Sequence, residues 1–258
     1  GALGEILAAG HTAGRTYVAG NIGRAASSVP FNARPEDLCV LEISSFQLET
    51  ISTFRPDIAV FLNLRSDHLD RYPDLASYAA AKERIFMRMG PRDVAILNID
   101  DVWTAELARR LVAPRLVTVS ARGPADWTLD GRFDDARILD AVKAPENLLA
   151  AVAAARELGV AEESIRATLA TFAGLPHRIE RIGERDGVVF YNDSKATNVH
   201  SVEAALRRLP APIVLILGGR DKGENYLELF PLIREKCRAV VAYGEASARI
   251  AEMLPAVE

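Results

Sequence analysis

Short apolar runs alternate along this chain with segments in which apolar residues recur every three or four positions. The runs are typical of strands, and they lie at residues 15–19, 38–43, 57–63, 93–98, 115–120, 188–191, 212–218 and 239–243. Those at 38–43, 57–63 and 212–218 are continuous enough to predict strands buried in a parallel sheet. The wider spacing is typical of amphipathic helices, which we predict at residues 2–9, 75–89, 102–111, 145–158, 162–172, 199–206, 226–235 and 245–254. Strands that alternate with helices predict an α/β fold built of packed layers.

The alternation changes character near residue 175. The segment GLP at 174–176 is followed by a hairpin signal, RDG at 185–187, between two strand-like runs. We therefore predict two domains, residues 1–174 and 175–258. The chain starts at Gly1 with a helix already under way, and no closing strand follows its last helix. Both features lead us to expect a piece of a longer protein.

The composition is that of an ordinary globular protein, with 49% hydrophobic and 26% charged residues. The net charge of -4 argues against a general nucleic-acid or membrane surface. No apolar run approaches the roughly 18 residues that span a bilayer. Cys39 and Cys237 lie in apolar strand-like runs, which predicts buried free thiols in a reducing compartment, without a disulfide or a metal site.

The densest group of polar residues lies between the run at 188–191 and the helix at 199–206. It consists of Asn192, Asp193, Ser194, Lys195, Thr197 and Asn198. In α/β proteins, a polar loop between a strand and a helix is a common place for a ligand, and a helix start offers free N–H groups to an anion. A capped helix would explain one of these residues but not six, so we favour a ligand site.

Two further polar clusters directly follow predicted strands. The stretch LEISSFQLET at 41–50 brings Glu42 and Ser44 to a strand end, as a metal or phosphate site would need, although a helix N-cap explains it equally well. Glu42 falls inside an apolar run, where a carboxylate needs a partner. The stretch NLRSDHLDRY at 63–72 contains His68, which could be a metal ligand or simply a solvated loop histidine.

Three basic residues suggest anion binding. Lys82 lies beside the apolar face of the helix at 75–89, where solvation is the plainer explanation. Arg178, in LPHRIE, could grip a phosphate or could be an ordinary linker arginine. Lys222, in the glycine-rich LGGRDKG, supplies a point charge for a carboxylate or phosphate.

The choice of lysine at these places is itself informative. The chain has only five lysines, whereas arginine supplies the other 26 of its 31 basic residues. Three of the five lysines, Lys82, Lys195 and Lys222, fall in the clusters above, which suggests selection for an amine. The phosphate-binding pattern GxxxxGK[ST] occurs nowhere in the sequence, so a nucleotide enzyme would have its main phosphate cradle outside this chain.

Together these motifs resemble the Mur ligases, and within them the branch that adds D-glutamate. The matching segments, in order, are LEISSFQLE, SDHLDRYP, AKERIF, LPHRIE, NDSKATN and LGGRDKG. The resemblance implies a central, three-layer, mostly parallel-sheet ATPase-type domain followed by a truncated Rossmann-like α/β domain. It also implies that the family's N-terminal domain, its P-loop and its C-terminal end lie outside this chain.

The resemblance implies an ATP-dependent amide ligase of peptidoglycan precursor synthesis. ATP would phosphorylate the carboxylate of UDP-N-acetylmuramoyl-L-alanine to an acyl phosphate, which the amine of D-glutamate would attack. ATP and Mg²⁺ are the implied cofactors, and catalysis would consist mostly of positioning and charge neutralisation. The resemblance further implies a monomer of the bacterial cytoplasm, without nucleic-acid or membrane partners.

The resemblance assigns roles residue by residue. The implied magnesium and catalytic residues are Glu42, His68 and Lys82, the last as the carbamate formed with carbon dioxide. The implied contacts to the UDP-substrate and to D-glutamate are Asn21 and Ser44, and Thr197 and Lys222, respectively. The implied nucleotide contacts are Asn147, Arg178, Asp193 and Lys195.

One segment departs from the family pattern. The family usually has HNxxN before its alanine-rich helix, for adenine, but this chain has KAPEN at 143–147, so that Lys143 and Ala144 replace the histidine and the first asparagine. Adenine recognition is therefore the weakest part of the resemblance. Two alternatives remain: a non-catalytic nucleotide-binding module, and a sister ligase such as a folylpolyglutamate synthetase. We expect the chain by itself to be inactive.

Overall fold

In the computed structural model, the chain forms two compact units, Gly1–Leu175 and Pro176–Glu258. The structure describes residues 1–21, 23–30, 32–65, 71–129, 138–139, 142 and 144–254. No helix within these ranges has both the length and the apolarity that crossing a bilayer demands.

Two parallel sheets are present among the described residues of the first unit. One sheet pairs β1 (Thr16–Gly20) with β2 (Leu38–Glu42). The other has four parallel strands in sequential order, which are β3 (Ile58–Phe61), β4 (Val94–Asn98), β5 (Arg115–Ser120) and β6 (Trp127–Thr128). The α-helices whose full bounds lie in the described part of this unit are α1 (Ala2–Gly10), α2 (Ser45–Glu49), α3 (Leu75–Glu83), α4 (Val102–Arg110), α5 (Pro145–Glu157) and α6 (Glu162–Thr171). Short 3₁₀ helices occupy Ala26–Ser28 and Arg84–Phe86.

Helices cover both faces of the four-stranded sheet. On one face, Ala95 and Leu97 pack in a cluster with buried residues of α3 and α4. On the other face, Ile96 packs against the alanine-rich side of α5. The opposite side of α5, which includes Leu148 and Val152, packs against α1 and α6. Alternate residues of one strand thus enter different layers, as in a parallel sheet that is buried on both faces.

The second unit contains a hairpin and a second parallel pair. The hairpin joins β7 (Glu180–Arg185) and β8 (Val188–Asn192), and the parallel pair is β9 (Ile213–Gly219) with β10 (Cys237–Gly244). Its helices are α7 (Val199–Arg208), α8 (Phe230–Lys236) and α9 (Ser247–Met253), with a 3₁₀ turn at Tyr226–Leu229. The helices pack on one face of the parallel pair, around Leu206, Leu217 and Ile233.

The structure confirms the α/β class and the three-layer arrangement of the first unit, but it corrects two predictions of burial. The run at 38–43 is not buried, because β2 pairs only with β1 in the described part of the chain, and Glu42 and Cys39 are exposed. In the run at 212–218 only Leu217 is buried, and Val214 and Ile216 are 60% and 69% exposed. A strand is buried on both faces only when a layer covers each face, and an apolar run by itself does not reveal those layers.

The predicted helix at 75–89 is also shorter than expected. It is α-helical only to Glu83, and Arg84–Phe86 continues as a tighter 3₁₀ turn. The Arg84 guanidinium donates hydrogen bonds to the carbonyl oxygens of Leu48 and Ile51, at 2.7 and 2.9 Å. These bonds tie the tightened turn to the end of α2, a long-range constraint that the sequence pattern does not contain.

Candidate functional site

Glu42 stands at the end of β2, directly opposite the end of β1. The backbone N–H of Asn21 donates to the Glu42 carbonyl oxygen at 2.7 Å, and the Asn21 amide nitrogen Nδ2 lies 3.4 Å from Glu42 Oε1. Asn21 is therefore only a weak hydrogen-bond partner for the Glu42 side chain. The carboxylate faces solvent, so it does not need the partner that a buried carboxylate would require. An exposed carboxylate at a strand end has the hard oxygen atoms that Mg²⁺ prefers.

Ser44 has a structural role that accounts for its position. It is the N-cap of α2, where its Oγ accepts a hydrogen bond from the Gln47 N–H at 3.3 Å. The Gln47 side chain in turn accepts one from the Ser44 N–H at 2.9 Å. This reciprocal pair is a capping box, the simpler of the two explanations that the sequence allowed. A substrate contact by Ser44 remains a prediction.

Lys82 lies in the last turn of α3, over an aromatic ring. Its Nζ is 5.0 Å from the centroid of Tyr78, one helical turn earlier, within the range of a cation–π contact. Tyr78 packs at 5.2 Å against Tyr72, whose hydroxyl donates to the carboxylate of Glu49. Only the four-residue spacing of Tyr78 and Lys82 could be read from the sequence, and Tyr72 and Glu49 were missed.

Glu49 joins this aromatic group to Arg71. The Arg71 Nη2 is 2.5 Å from Glu49 Oε2, and its guanidinium lies 4.9 Å from the ring centroid of Phe46. Hydrogen bonds from Arg71 and then from Tyr72 lower the pKa of Glu49, whereas burial above all raises the pKa of Tyr72. Glu49 is thus held as an anion. The predicted metal ligand His68 lies outside the described residues.

In the second unit, the NDSK segment folds back on the LPHRIE segment. The Asp193 carboxylate accepts a hydrogen bond from the Ile179 N–H at 2.9 Å, and the Lys195 N–H donates to the His177 carbonyl oxygen at 3.1 Å. Burial raises the pKa of Asp193, against the opposing effects of the Ile179 N–H and the Arg178 charge. The structure therefore brings together the segments that contain Arg178, Asp193 and Lys195, the three residues for which the family resemblance implied nucleotide contacts.

Thr197 and Lys222 are also brought together. Lys222 Nζ is 3.4 Å from the Thr197 carbonyl oxygen, and both residues are exposed. Gly218, in the glycine-rich stretch before Lys222, has a structural role. A Cβ added to it would lie 2.0 Å from the Tyr243 carbonyl oxygen, so the close approach of β10 requires a glycine there.

Asn147 occupies the first turn of α5 and is exposed. Its N–H donates to the carbonyl oxygen of Ala144, the N-cap, at 3.1 Å. The alanine at the N-cap provides no side-chain hydrogen bond to the helix, and Lys143 lies outside the described residues. The departure from the family pattern thus leaves α5 without the side-chain cap that an asparagine would give.

A complete metal centre cannot be assembled from the described ranges. Within them, no group of three or more histidine, cysteine, aspartate and glutamate side chains is placed to hold a metal ion. Of the predicted metal residues that lie in the described ranges, Glu42 has oxygen atoms suited to Mg²⁺, and Lys82 would have them only after its amine had been converted to a carbamate.

Comparison with known proteins identifies the family. Residues 21–137 match the Mur ligase middle domain, and residues 177–258 match the Mur ligase glutamate ligase domain. The chain is 40% identical over 253 residues to the UDP-N-acetylmuramoylalanine-D-glutamate ligase of Pelotomaculum thermopropionicum, covering 92% of this chain and 55% of that protein. It is 42% identical over 265 residues to the ligase of the same name from Geobacter metallireducens, covering 97% and 58%.

The fold is similar to that of a solved structure. MurF from Acinetobacter baumannii superimposes with a TM-score of 0.70 at 19% identity, over 98% of this chain and 62% of that one. At this identity the match concerns the fold alone. The chain thus spans a little over half the length of the D-glutamate ligases that it matches. With both domain matches and this level of identity, the chain belongs to the Mur ligase family.

Proposed function

We propose that the protein containing this chain adds D-glutamate to UDP-N-acetylmuramoyl-L-alanine through an acyl phosphate. The observation that carries the proposal is the pairing of Thr197 with Lys222, in the unit that matches the glutamate ligase domain. The contact joins the Lys222 ammonium to the backbone of Thr197. The ammonium and the Thr197 hydroxyl could both donate hydrogen bonds to carboxylate oxygens, which would suit an amino acid with two carboxylates. The 40% identity to ligases named for D-glutamate agrees with this substrate.

The second unit would also bind the nucleotide. Arg178 presents a planar guanidinium that can form two parallel hydrogen bonds with a phosphate, and Lys195 adds a second, exposed cation. In the first unit, Asn147 is exposed in the first turn of α5, where its amide can both donate to and accept from an adenine edge. The GxxxxGK[ST] cradle is absent from this sequence, so we assign turnover to the longer protein and expect this chain alone to be inactive.

The first unit would prepare the substrate carboxylate for phosphoryl transfer. Mg²⁺, when bound, neutralises charge on the transferring phosphoryl group. Glu42 would supply an oxygen ligand to it, together with His68 and with Lys82 as a carbamate. Carbamate formation joins the Lys82 amine to carbon dioxide with loss of a proton, so it would exchange the cation–π contact with Tyr78 for an anionic oxygen ligand. Asn21 and Ser44 would contact the UDP-substrate, and we place the reaction in the bacterial cytoplasm, in a monomer.

The test is phosphate release from ATP by the full-length gene product, with UDP-N-acetylmuramoyl-L-alanine, Mg²⁺ and each of several amino acids. We expect release to require D-glutamate. Lys222→Met should raise the KM for D-glutamate at least tenfold and leave the KM for ATP unchanged. Lys236→Met is the matched control, because it removes a lysine of the same unit that bonds only to helix carbonyls in the contacts described.

Three other outcomes would contradict the proposed function or the role of Lys222. Release with a different amino acid, but not with D-glutamate, would indicate a sister ligase. A folded full-length protein that releases no phosphate with any amino acid would favour a non-catalytic nucleotide-binding module. An equal rise in the KM for D-glutamate in both lysine variants would refute the assignment of Lys222.

A further inference from the structure

The backbone on either side of Arg178 has an unusual conformation. His177 has φ 64° and Ile179 has φ 45°, so both lie in the left-handed region. Residues other than glycine seldom adopt this region, and a β-branched residue such as isoleucine does so only where the surrounding structure imposes it. Two such residues within three positions therefore need an external cause.

Hydrogen bonds from the NDSK segment supply that cause. The Ile179 N–H donates to Asp193 Oδ1 at 2.9 Å, and the His177 carbonyl oxygen accepts from the Lys195 N–H at 3.1 Å. The His177 ring is held as well, because Asn192 Nδ2 lies 2.8 Å from His177 Nδ1. Every residue of the 177–179 turn except Arg178 itself is bonded to this segment.

The direction of the Asn192 bond follows from its other contact. Asn192 Oδ1 accepts a hydrogen bond from the Ser194 N–H at 3.0 Å, which turns the amide NH₂ toward His177. The Asn192 amide NH₂ therefore faces the ring nitrogen Nδ1 of His177. The His177 N–H donates to the Glu180 carboxylate at 2.7 Å, which closes the turn on its other side.

We propose that Asn192 and Asp193 are positioning residues that clamp the turn at 177–179 and so aim Arg178 at a phosphate. The clamp is a property of the second unit alone, and only the identity of the anion rests on the proposed function. The Asp193 carboxylate acts through the Ile179 N–H, so its effect on a nucleotide is indirect. This differs from a direct nucleotide contact, the role that the family resemblance suggested.

The clamp itself is tested without nucleotide or turnover. Amide hydrogen exchange of this chain by NMR should show a protected Ile179 amide that exchanges at least tenfold faster in Asp193→Ala, while amides of β9 remain unchanged as a check on folding. Asp193→Asn keeps an acceptor oxygen and should keep most of the protection. Unchanged exchange at Ile179 in Asp193→Ala would overturn the clamp, whatever the protein catalyses.

A double variant separates the indirect role from a direct one. Glycine adopts the left-handed region without support, so Ile179→Gly should make the turn independent of Asp193. In the full-length protein with the wild-type turn, Asp193→Ala should raise the KM for ATP at least tenfold and change kcat less. In the Ile179→Gly background, the same substitution should raise the KM for ATP less than threefold. Asp186→Gly also places glycine at a left-handed position (φ 53°), in the hairpin turn, and should give no such rescue.

Three other outcomes of these experiments would each contradict a different part of the argument. An equal rise in the KM for ATP in both backgrounds would mean that Asp193 touches the nucleotide directly, and would refute the indirect role. An unchanged KM for ATP, together with lost protection of Ile179, would show that the clamp does not serve Arg178. If the wild-type protein shows no ATP turnover, the proposed function fails, and the exchange experiment alone decides the clamp.

Discussion

Gly20 connects the parallel pairing of β1 and β2 to the position of Glu42. It is paired with Glu42 in the sheet register, and its φ of +117° is one that side chains rarely allow. A Cβ added to Gly20 would lie 2.1 Å from the Glu42 carbonyl oxygen. Gly20→Ala should therefore displace the end of β2 and, with it, the candidate magnesium ligand.

The magnitude follows from two contributions. To reach even a 3.0 Å contact, the carbonyl oxygen must move by about 0.9 Å, which breaks its 2.7 Å hydrogen bond from the Asn21 N–H. A lost hydrogen bond costs about 1 kcal/mol, and a disallowed backbone conformation costs about 1–3 kcal/mol. We expect the free energy of unfolding of the first unit to fall by roughly 2–4 kcal/mol.

The assay is urea unfolding of this chain followed by tryptophan fluorescence. Both tryptophans, Trp103 and Trp127, belong to the first unit, so the signal reports that unit alone. Gly20→Ala should lower the urea midpoint by about 1–2 M. Gly23→Ala is the matched control: Gly23 also has positive φ (+71°), but no atom lies within 4 Å of its added Cβ.

The control isolates the steric contribution. Gly23→Ala should cost only the strain of the left-handed conformation, about 1–2 kcal/mol. If the two variants lower the midpoint equally, the close approach of Gly20 to Glu42 contributes nothing measurable, and the reasoning fails. If Gly20→Ala is as stable as the wild type, the register of β1 against β2 is wrong.

Two further predictions concern the stability of the first unit, each measured by the same fluorescence assay. Ala144→Asn should raise the free energy of unfolding by about 1 kcal/mol, because Ala144 has the extended conformation of an N-cap (φ −147°, ψ 121°) but no side-chain acceptor. An unchanged or lower urea midpoint would show that the first N–H groups of α5 do not need a side-chain cap. Asp93→Asn should cost about 2 kcal/mol at pH 7, because the buried Asp93 carboxylate accepts two charge-assisted hydrogen bonds from Arg55, both of 2.8 Å. Hydrogen bonds from Arg55 and then from the Gly90 N–H lower the pKa of Asp93 below its usual 3.8, so its contribution is present above that value and lost as the pH falls through the lower, folded pKa. The difference between wild type and Asp93→Asn should therefore shrink below about pH 4, and a difference that stays constant from pH 7 to pH 3 would contradict the ionic role.

The sequence pattern predicted a strand correctly where its apolar residues are in fact covered by helices in the folded protein. β5 was predicted at 115–120 and is observed at Arg115–Ser120, because its apolar residues enter two covered faces. The prediction failed for the burial of β2 and for most of β9, whose residues are equally apolar. Burial depends on which strands and helices cover a face. Those partners come from distant parts of the chain, so a local pattern cannot specify them.

The same distinction applies to the candidate site. Polar residues that follow a strand could be found from the sequence, and the structure brings Lys222 to Thr197 and Arg178 to Asp193. What could not be found was the support around them. The Glu49–Tyr72 hydrogen bond joins residues 23 positions apart. Hydrogen bonds from Arg71 and then from Tyr72 lower the pKa of Glu49, a carboxylate to which the sequence assigned no role.

Lys236 shows how far the argument from rare lysines extends. It is one of the two lysines outside the motif clusters, yet its ammonium donates to the carbonyl oxygens of Leu206, Arg207 and Leu209, at 2.8, 3.0 and 2.9 Å. These carbonyls end α7, where a helix has unpaired acceptors and a partial negative charge. A compact ammonium directs its three N–H groups to three nearby acceptors more readily than a planar guanidinium does. Scarcity of lysine in this chain therefore indicates a need for an amine, and the surroundings of each lysine decide whether that need is chemical or structural. For Lys222 the neighbour is an exposed threonine on a polar loop, which favours a ligand, whereas for Lys236 it is the end of a helix.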